Sequence, residues 1–255
     1  MRARLPRRLS TGEEATLVEH LGELRTRLFV SMGALLLCFT VAFIFHHRLL
    51  VWLNAPLPDG YKPTTLTVAE PFLVSLKVSL WAGFGLALPV ILWQLWAFLA
   101  PAIDEHAQRM IVGMVAFATV LLACGVAFGY FLALPAATHY LLGYDKSSYN
   151  ILVQAKGYYS FAITVMAAVG LVFELPIFVL ALVRLGVLTT QQLRSNRRLG
   201  YFIVAVVGVL LPGIDPVTTA VETIPLWILY EFSIWLSVFI ERRARSRELA
   251  TSEAS

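Results

Sequence analysis

The sequence predicts an all-α integral membrane protein of six transmembrane helices, and three observations predict it. Hydrophobic residues make up 58% of the 255-residue chain and charged residues 14%, against about 45–50% and about 25% in soluble domains. The apolar residues gather into long runs broken by short polar punctuation. Arginines cluster beside alternate ends of those runs. Mean hydropathy is +0.75, and little chain is left for a soluble domain.

The segments divide the chain into a cytoplasmic amphipathic piece over 1–28, a transmembrane domain over 29–241 and a cytoplasmic tail over 242–255. In the first piece Leu17, Leu21, Leu24 and Leu28 repeat at spacings of four, three and four, one stripe of an amphipathic helix. Glu19, Glu23 and Arg27 repeat every four residues on another face. The first apolar run is Phe29–Phe45, with Leu28 and the His46-His47-Arg48 cluster able to extend it; no small-residue cleavage site follows. A polar stretch over Asn54–Thr67 precedes Glu70-Pro71, an acid and a proline at a helix start.

The second run is Val78–Ile103, with Pro89 and Gln94 inside it; the third is Met110–Leu134, ending near Pro135. A loop with Asp145, Lys146 and Lys156 follows, long enough for a short helix. The fourth run, Tyr158–Val183, carries Glu174 and Pro176. Arginines flank both ends of Leu199–Ile240, so this last stretch is expected to cross twice, turning at Pro212-Gly213-Ile214-Asp215-Pro216. Each crossing is then close to or below the usual spanning length. With both termini inside, the cytoplasmic face collects the arginines from Arg2 to Arg247, and the outside keeps only Arg48, Lys62, Lys146 and Lys156, with Lys77 near an outer helix end.

Ionisable and amide groups at membrane depth are costly and mark candidate functional sites. Gln94 lies nine residues before Ile103, Glu174 nine before Val183, and Glu231 ten before Glu241. At 1.5 Å per residue all three are expected at similar depth, roughly 13 Å from the inner helix ends. The competing structural reading has Glu174 and Gln94 bonding carbonyls freed by Pro176 and Pro89. Trp93, Trp96 and Phe98 suit an interfacial aromatic belt. Arg7-Arg8 suits contact with anionic lipid. Cys38 and Cys124 sit within apolar runs as small hydrophobes. The five histidines are scattered, and no P-loop, HExxH motif, Cys/His cluster or dinucleotide fingerprint occurs. No metal, cofactor, catalytic residue or nucleic-acid partner is therefore expected.

An ordered series of motifs runs from about Thr16 to Glu241. It comprises His20-Leu21-Gly22-Glu23-Leu24-Arg25, Glu70-Pro71-Phe72, Pro89 through Phe98 with Pro101, Gly129-Tyr130-Phe131 with Pro135, Phe173-Glu174-Leu175-Pro176, and Tyr230-Glu231. In these the chain resembles the TatC family, the multi-spanning receptor subunits of the twin-arginine protein translocase. The resemblance implies a glove-shaped six-helix receptor that binds twin-arginine signal peptides. It further implies TatA-type and TatB-type single-span partners, self-association in a receptor complex, and transport of folded proteins driven by the protonmotive force.

Residue by residue, the resemblance assigns signal-peptide binding to Glu23, with Arg25 of the same motif and Phe98 at the end of the second helix, and makes Glu174 the intramembrane acid. Two positions depart from the family pattern. Ala107 stands where a loop acid is usual, so that role passes to Glu105, with Glu19 widening the acidic patch. Pro212 stands where a threonine is usual in the outer turn; Asp215 is kept, and Thr219 supplies part of the polarity of a partner-docking site. A small-solute secondary transporter is the alternative, since it also needs acids such as Glu174 and Glu231 at depth, but it calls for inverted repeats. An intramembrane hydrolase needs a nucleophile and base, or paired aspartates, at depth, whereas Asp104, Asp145 and Asp215 fall in loops.

Overall fold

The computed structural model describes residues 17–99, 108–184, 187–213 and 215–252, with side chains over 21–95, 97–98, 113–183, 187–213 and 215–241. Among the described residues, five helical stretches are long and apolar enough to cross a membrane: Leu21–Ile44, Glu70–Leu95, Gly113–Gly143, Ala155–Val183 and Pro216–Glu241. A shorter helix between the last two completes a six-helix membrane bundle. The many outward-facing leucines, valines and phenylalanines along these helices present a lipid-facing surface.

α1 (Leu17–Ile44) runs without a break through Leu28, so collar and first span are one rod. The Leu21, Leu24 and Leu28 stripe faces outward from the bundle. α1 lies against α3 (Glu70–Leu99), and the two backbones meet at Gly83. A Cβ there would sit 2.6 Å from the Phe39 Cα, so only glycine allows this approach. α2 (His46–Asn54) is a short helix in the connection, which the polar composition of that segment does not announce.

The third crossing continues beyond Leu134, where the sequence suggests an end. α4 (Gln108–Phe128) passes through a π-helical turn at Gly129–Ala133 into α5 (Leu134–Gly143), with Pro135 in the first turn of α5. Proline lacks an N–H and its ring crowds the carbonyl four residues back; the wider turn is one way to carry it without breaking the helix. The loop after α5 forms turns, and no helix occurs over 144–154. α6 (Ala155–Phe173) and α7 (Leu175–Arg184) form the fourth crossing, broken at Glu174 before Pro176.

A short helix, α8 (Thr190–Ser195), is closed by a reciprocal capping box between Thr189 and Gln192. α9 (Arg197–Leu210) has 14 residues, about 21 Å of rise against about 30 Å of hydrocarbon. The chain bends at Leu211 and Pro212 after α9, and α10 (Pro216–Ser252) follows. The double crossing expected from the flanking arginines is therefore present.

The two larger of four apolar clusters among the described residues lie at opposite parts of the bundle. Near the α1–α2 junction, Leu53, Val74, Val78, Leu134, Tyr158 and Ile163 join α2, α3, α5 and α6. Beside α7–α10, Val179, Leu193, Val204, Leu226 and Ile234 form the second. Phenol and threonine hydroxyls pin the α2 segment to the bundle: Tyr130 donates to the Trp52 carbonyl at 2.9 Å, Tyr158 to Leu53, Tyr159 to Asn54 Oδ1 at 2.9 Å and Thr138 to Pro56 at 3.1 Å. Glu70 fixes the next loop. Its carboxylate accepts from the Leu66 N–H at 2.8 Å, Thr67 at 3.3 Å and Lys156 at 2.8 Å, while Thr64 and Gln154 form a parallel bridge.

Candidate functional site

The collar forms where the first turns of α1 meet the last turns of α3. Glu23 and Arg27 are one helical turn apart, so their side chains share a face. Arg27 Nε donates to Glu23 Oε1 at 3.0 Å, and Nη2 reaches the same oxygen. Nη1 of the same guanidinium donates to Gln94 Oε1 on α3 at 3.3 Å. Glu23 keeps 35% of its side chain exposed and Arg27 19%. Arg25 points elsewhere, its guanidinium 5.7 Å from the centre of the Phe29 ring. Phe98 lies one turn beyond Gln94, half-buried in the last turn of α3. Glu105, with Asp104, and the side chain of Glu19 lie outside the described residues.

Gln94, Glu174 and Glu231 each sit in a separate environment, and among the described residues no hydrogen bond or ion pair links them. Gln94 belongs to the collar through Arg27. Glu174 caps α6 at the α6–α7 break, half-buried, and its Oε1 is buried without a partner among the described residues. The carbonyls before Pro176 are met by main chain instead, because the Glu174 N–H bonds the Leu171 and Val172 carbonyls, and Ile177 and Phe178 bond the Glu174 carbonyl at 3.0 Å. Glu231 accepts from the Tyr201 hydroxyl, and the Arg197 guanidinium lies 3.5 Å from the same oxygen.

The α9–α10 turn holds a second polar group. Asp215 Oδ1 accepts from the Thr218 N–H at 2.8 Å and so caps α10. Thr219 Oγ1 donates to the Gly213 and Asp215 carbonyls at 3.1 and 2.9 Å. Beside them a groove of about 670 Å³ is lined by Val209, Asp215, Thr219, Thr223 and Trp227 among others. Beside it, Glu222 is 2% exposed, and both its carboxylate oxygens lack partners among the described residues, as do Asp215 Oδ2 and Thr218 Oγ1. Asp215, Thr218 and Glu222 are spaced three and four apart, one face of α10. The sequence motifs pass over Glu222, although an acid in an apolar helix is the signal that singles out Glu174.

What these groups can do is bind by charge and hydrogen bonding; no three metal-ligating side chains come together among the described residues. Residues 19–225 match the family described as Sec-independent protein translocase protein (TatC). The Sec-independent protein translocase protein TatC of Aquifex aeolicus is 35% identical over 239 residues, covering 92% of this chain and 99% of that protein. The namesake in Magnetococcus marinus is 33% identical over 246 residues, with 95% and 91% covered. That of Escherichia coli is 30% identical over 244 residues, with 94% and 95% covered. A crystal structure of a twin-arginine translocase receptor, TatC in DDM, superposes with a TM-score of 0.74 at 36% identity over 86% of this chain and 99% of that one.

Proposed function

The chain belongs to the TatC family of Sec-independent protein translocase proteins, and from that premise we propose that its collar is the receptor site for twin-arginine signal peptides. The family places the chain in protein transport across a membrane. The observation that carries the finer reading is the Glu23 carboxylate, partly exposed where α1 meets α3 and already in hydrogen-bonding contact with a guanidinium. A guest arginine presents the same fork. Charge-assisted bonds of this kind are worth roughly 1.5–3 kcal/mol, so losing one weakens binding about ten-fold or more.

Glu105 and Glu19 extend the acidic patch in this reading, Arg25 belongs to the same motif, and Phe98 gives an apolar contact for the signal peptide. The arginine-rich collar, α8–α9 junction and C-terminal tail put both termini on the cytoplasmic side by the positive-inside rule. Single-span TatA-type and TatB-type partners dock along the groove at Asp215 and Thr219, copies of the chain associate in the receptor complex, and the protonmotive force drives transport. Glu174, Gln94 and Glu231 serve as polar groups within the membrane. The chain acts by binding and carries out no covalent step.

The test is the affinity of a twin-arginine signal peptide for purified Glu23→Ala and Glu23→Lys variants. A large loss with alanine is expected, a larger one with lysine, and little further loss when the peptide carries Lys-Lys. Unchanged affinity in both variants overturns the reading.

A further inference from the structure

The Arg27 guanidinium is divided between two helices. Two of its nitrogens engage Glu23 Oε1 on α1, and the third donates to Gln94 Oε1 on α3. A freely solvated pair one turn apart would leave the third nitrogen to water; here α3 holds the arginine over the carboxylate. Arg27 is the more buried of the two side chains, and Glu23 Oε2 accepts no hydrogen bond among the described residues.

We infer that Arg27 is an internal competitor for the Glu23 carboxylate, and that it sets the affinity with which an incoming guanidinium is bound there. This rests on the reading that Glu23 receives the signal-peptide arginine. The guest supplies the same chemical group as Arg27, so binding is an exchange of one guanidinium for another. Gln94 makes the exchange orderly, because Arg27 keeps one hydrogen bond on α3 as it leaves the carboxylate.

A site occupied by its own competitor binds every guest more weakly by the reciprocal of the vacant fraction. That factor is common to all guests, so Arg27 does not change the ratio of arginine to lysine preference. It raises the threshold instead: lysine-bearing sequences, already weaker because an ammonium lacks the bidentate fork, fall out of the working range first.

The experiment is a mutant cycle on the full chain in lipid nanodiscs, titrated with a fluorescent twin-arginine signal peptide and its Lys-Lys counterpart. Arg27→Gln is expected to tighten both peptides by the same factor, about three- to ten-fold. Arg27→Lys, which keeps the charge but loses the fork, is expected to fall between. In a Glu23→Gln background the Arg27→Gln gain is expected to vanish. An equal gain in both backgrounds means only long-range repulsion of a basic peptide and overturns the inference. Loss or no change with Arg27→Gln, while Glu23→Gln still weakens binding, overturns the competitor role and leaves the Glu23 site standing. No effect of Glu23→Gln in either Arg27 background overturns both.

Discussion

Tyr201 on α9 donates its hydroxyl to the Glu231 carboxylate on α10, and Arg197, one turn earlier on α9, approaches the same oxygen at 3.5 Å. The contact ties the shortest crossing to the longest helix. Tyr201→Phe is expected to cost about 0.5–1.5 kcal/mol and Glu231→Ala about 1–3 kcal/mol, the second leaving the tyrosine without its acceptor. Thermal unfolding in detergent checks both, and the double variant should cost less than the sum. Additive losses would mean the two residues act apart.

Close packing of the same two helices depends on Gly200. A Cβ at this position would lie 1.9 Å from the Tyr230 hydroxyl oxygen and 2.1 Å from its Cζ. Gly200→Ala is therefore expected to reduce folded protein sharply. Tyr230→Phe should not rescue it, since the ring carbons remain in the way. Restored folding in the double variant would show that the hydroxyl alone is the obstacle.

Glu174 separates a structural from a transport role cleanly, because the α6–α7 break is closed by main-chain bonds that its side chain does not make. Glu174→Ala is expected to leave membrane insertion and folding near wild-type while lowering export of a twin-arginine reporter. Glu174→Gln should do less harm if hydrogen bonding is what the position supplies. Normal export by the alanine variant would leave the residue without a transport role.

Glu222 carries the opposite expectation for stability. Its buried carboxyl oxygens have no partners among the described residues, and replacing such a group by an apolar one removes a penalty of about 1–3 kcal/mol. Glu222→Leu should raise the unfolding midpoint. A fall of similar size would show that the carboxyl holds the fold together.

Orientation is checked by thiol labelling after Cys38 and Cys124 are replaced. Single cysteines near Lys62, Lys146 and Asp215 are expected to react with an impermeant reagent added outside intact cells. Those near Glu105, Asn196 and Ser252 are expected to stay unlabelled. Outside labelling at Asn196 would mean that 199–240 does not cross twice.

The bundle is legible in the sequence because apolar runs and flanking arginines are local signals, each written in the residues that form the helix. The turn at 212–216 can be found the same way, from Arg197–Arg198 before it and Arg242–Arg243 after the stretch. Other features are not local. That Arg27 reaches Gln94 follows from where α1 crosses α3, and Gly83 allows that crossing without saying which side chains will meet. α2 escapes notice because its nine residues mix His46, His47, Arg48 and Asn54 with leucines, and it is held by hydroxyls from distant helices. The third crossing outruns its predicted end because a π-helical turn lets the helix pass Pro135. Glu23 is found by its motif, yet its pairing state depends on the fold.

Glu70 accepts from three backbone N–H groups of the loop it organises, those of Leu66, Thr67 and Lys156, and its only side-chain partner there is Gln154 among the described residues. The identities of Leu66, Thr67 and Lys156 are thus irrelevant to the clamp; any residue except proline offers the same donor. Mutational drift is free to rewrite that surface, its charge and its apolar character, while its shape stays fixed by one carboxylate. Among relatives that keep the acid, this end of the molecule can diversify toward different surroundings without renegotiating the fold beneath it.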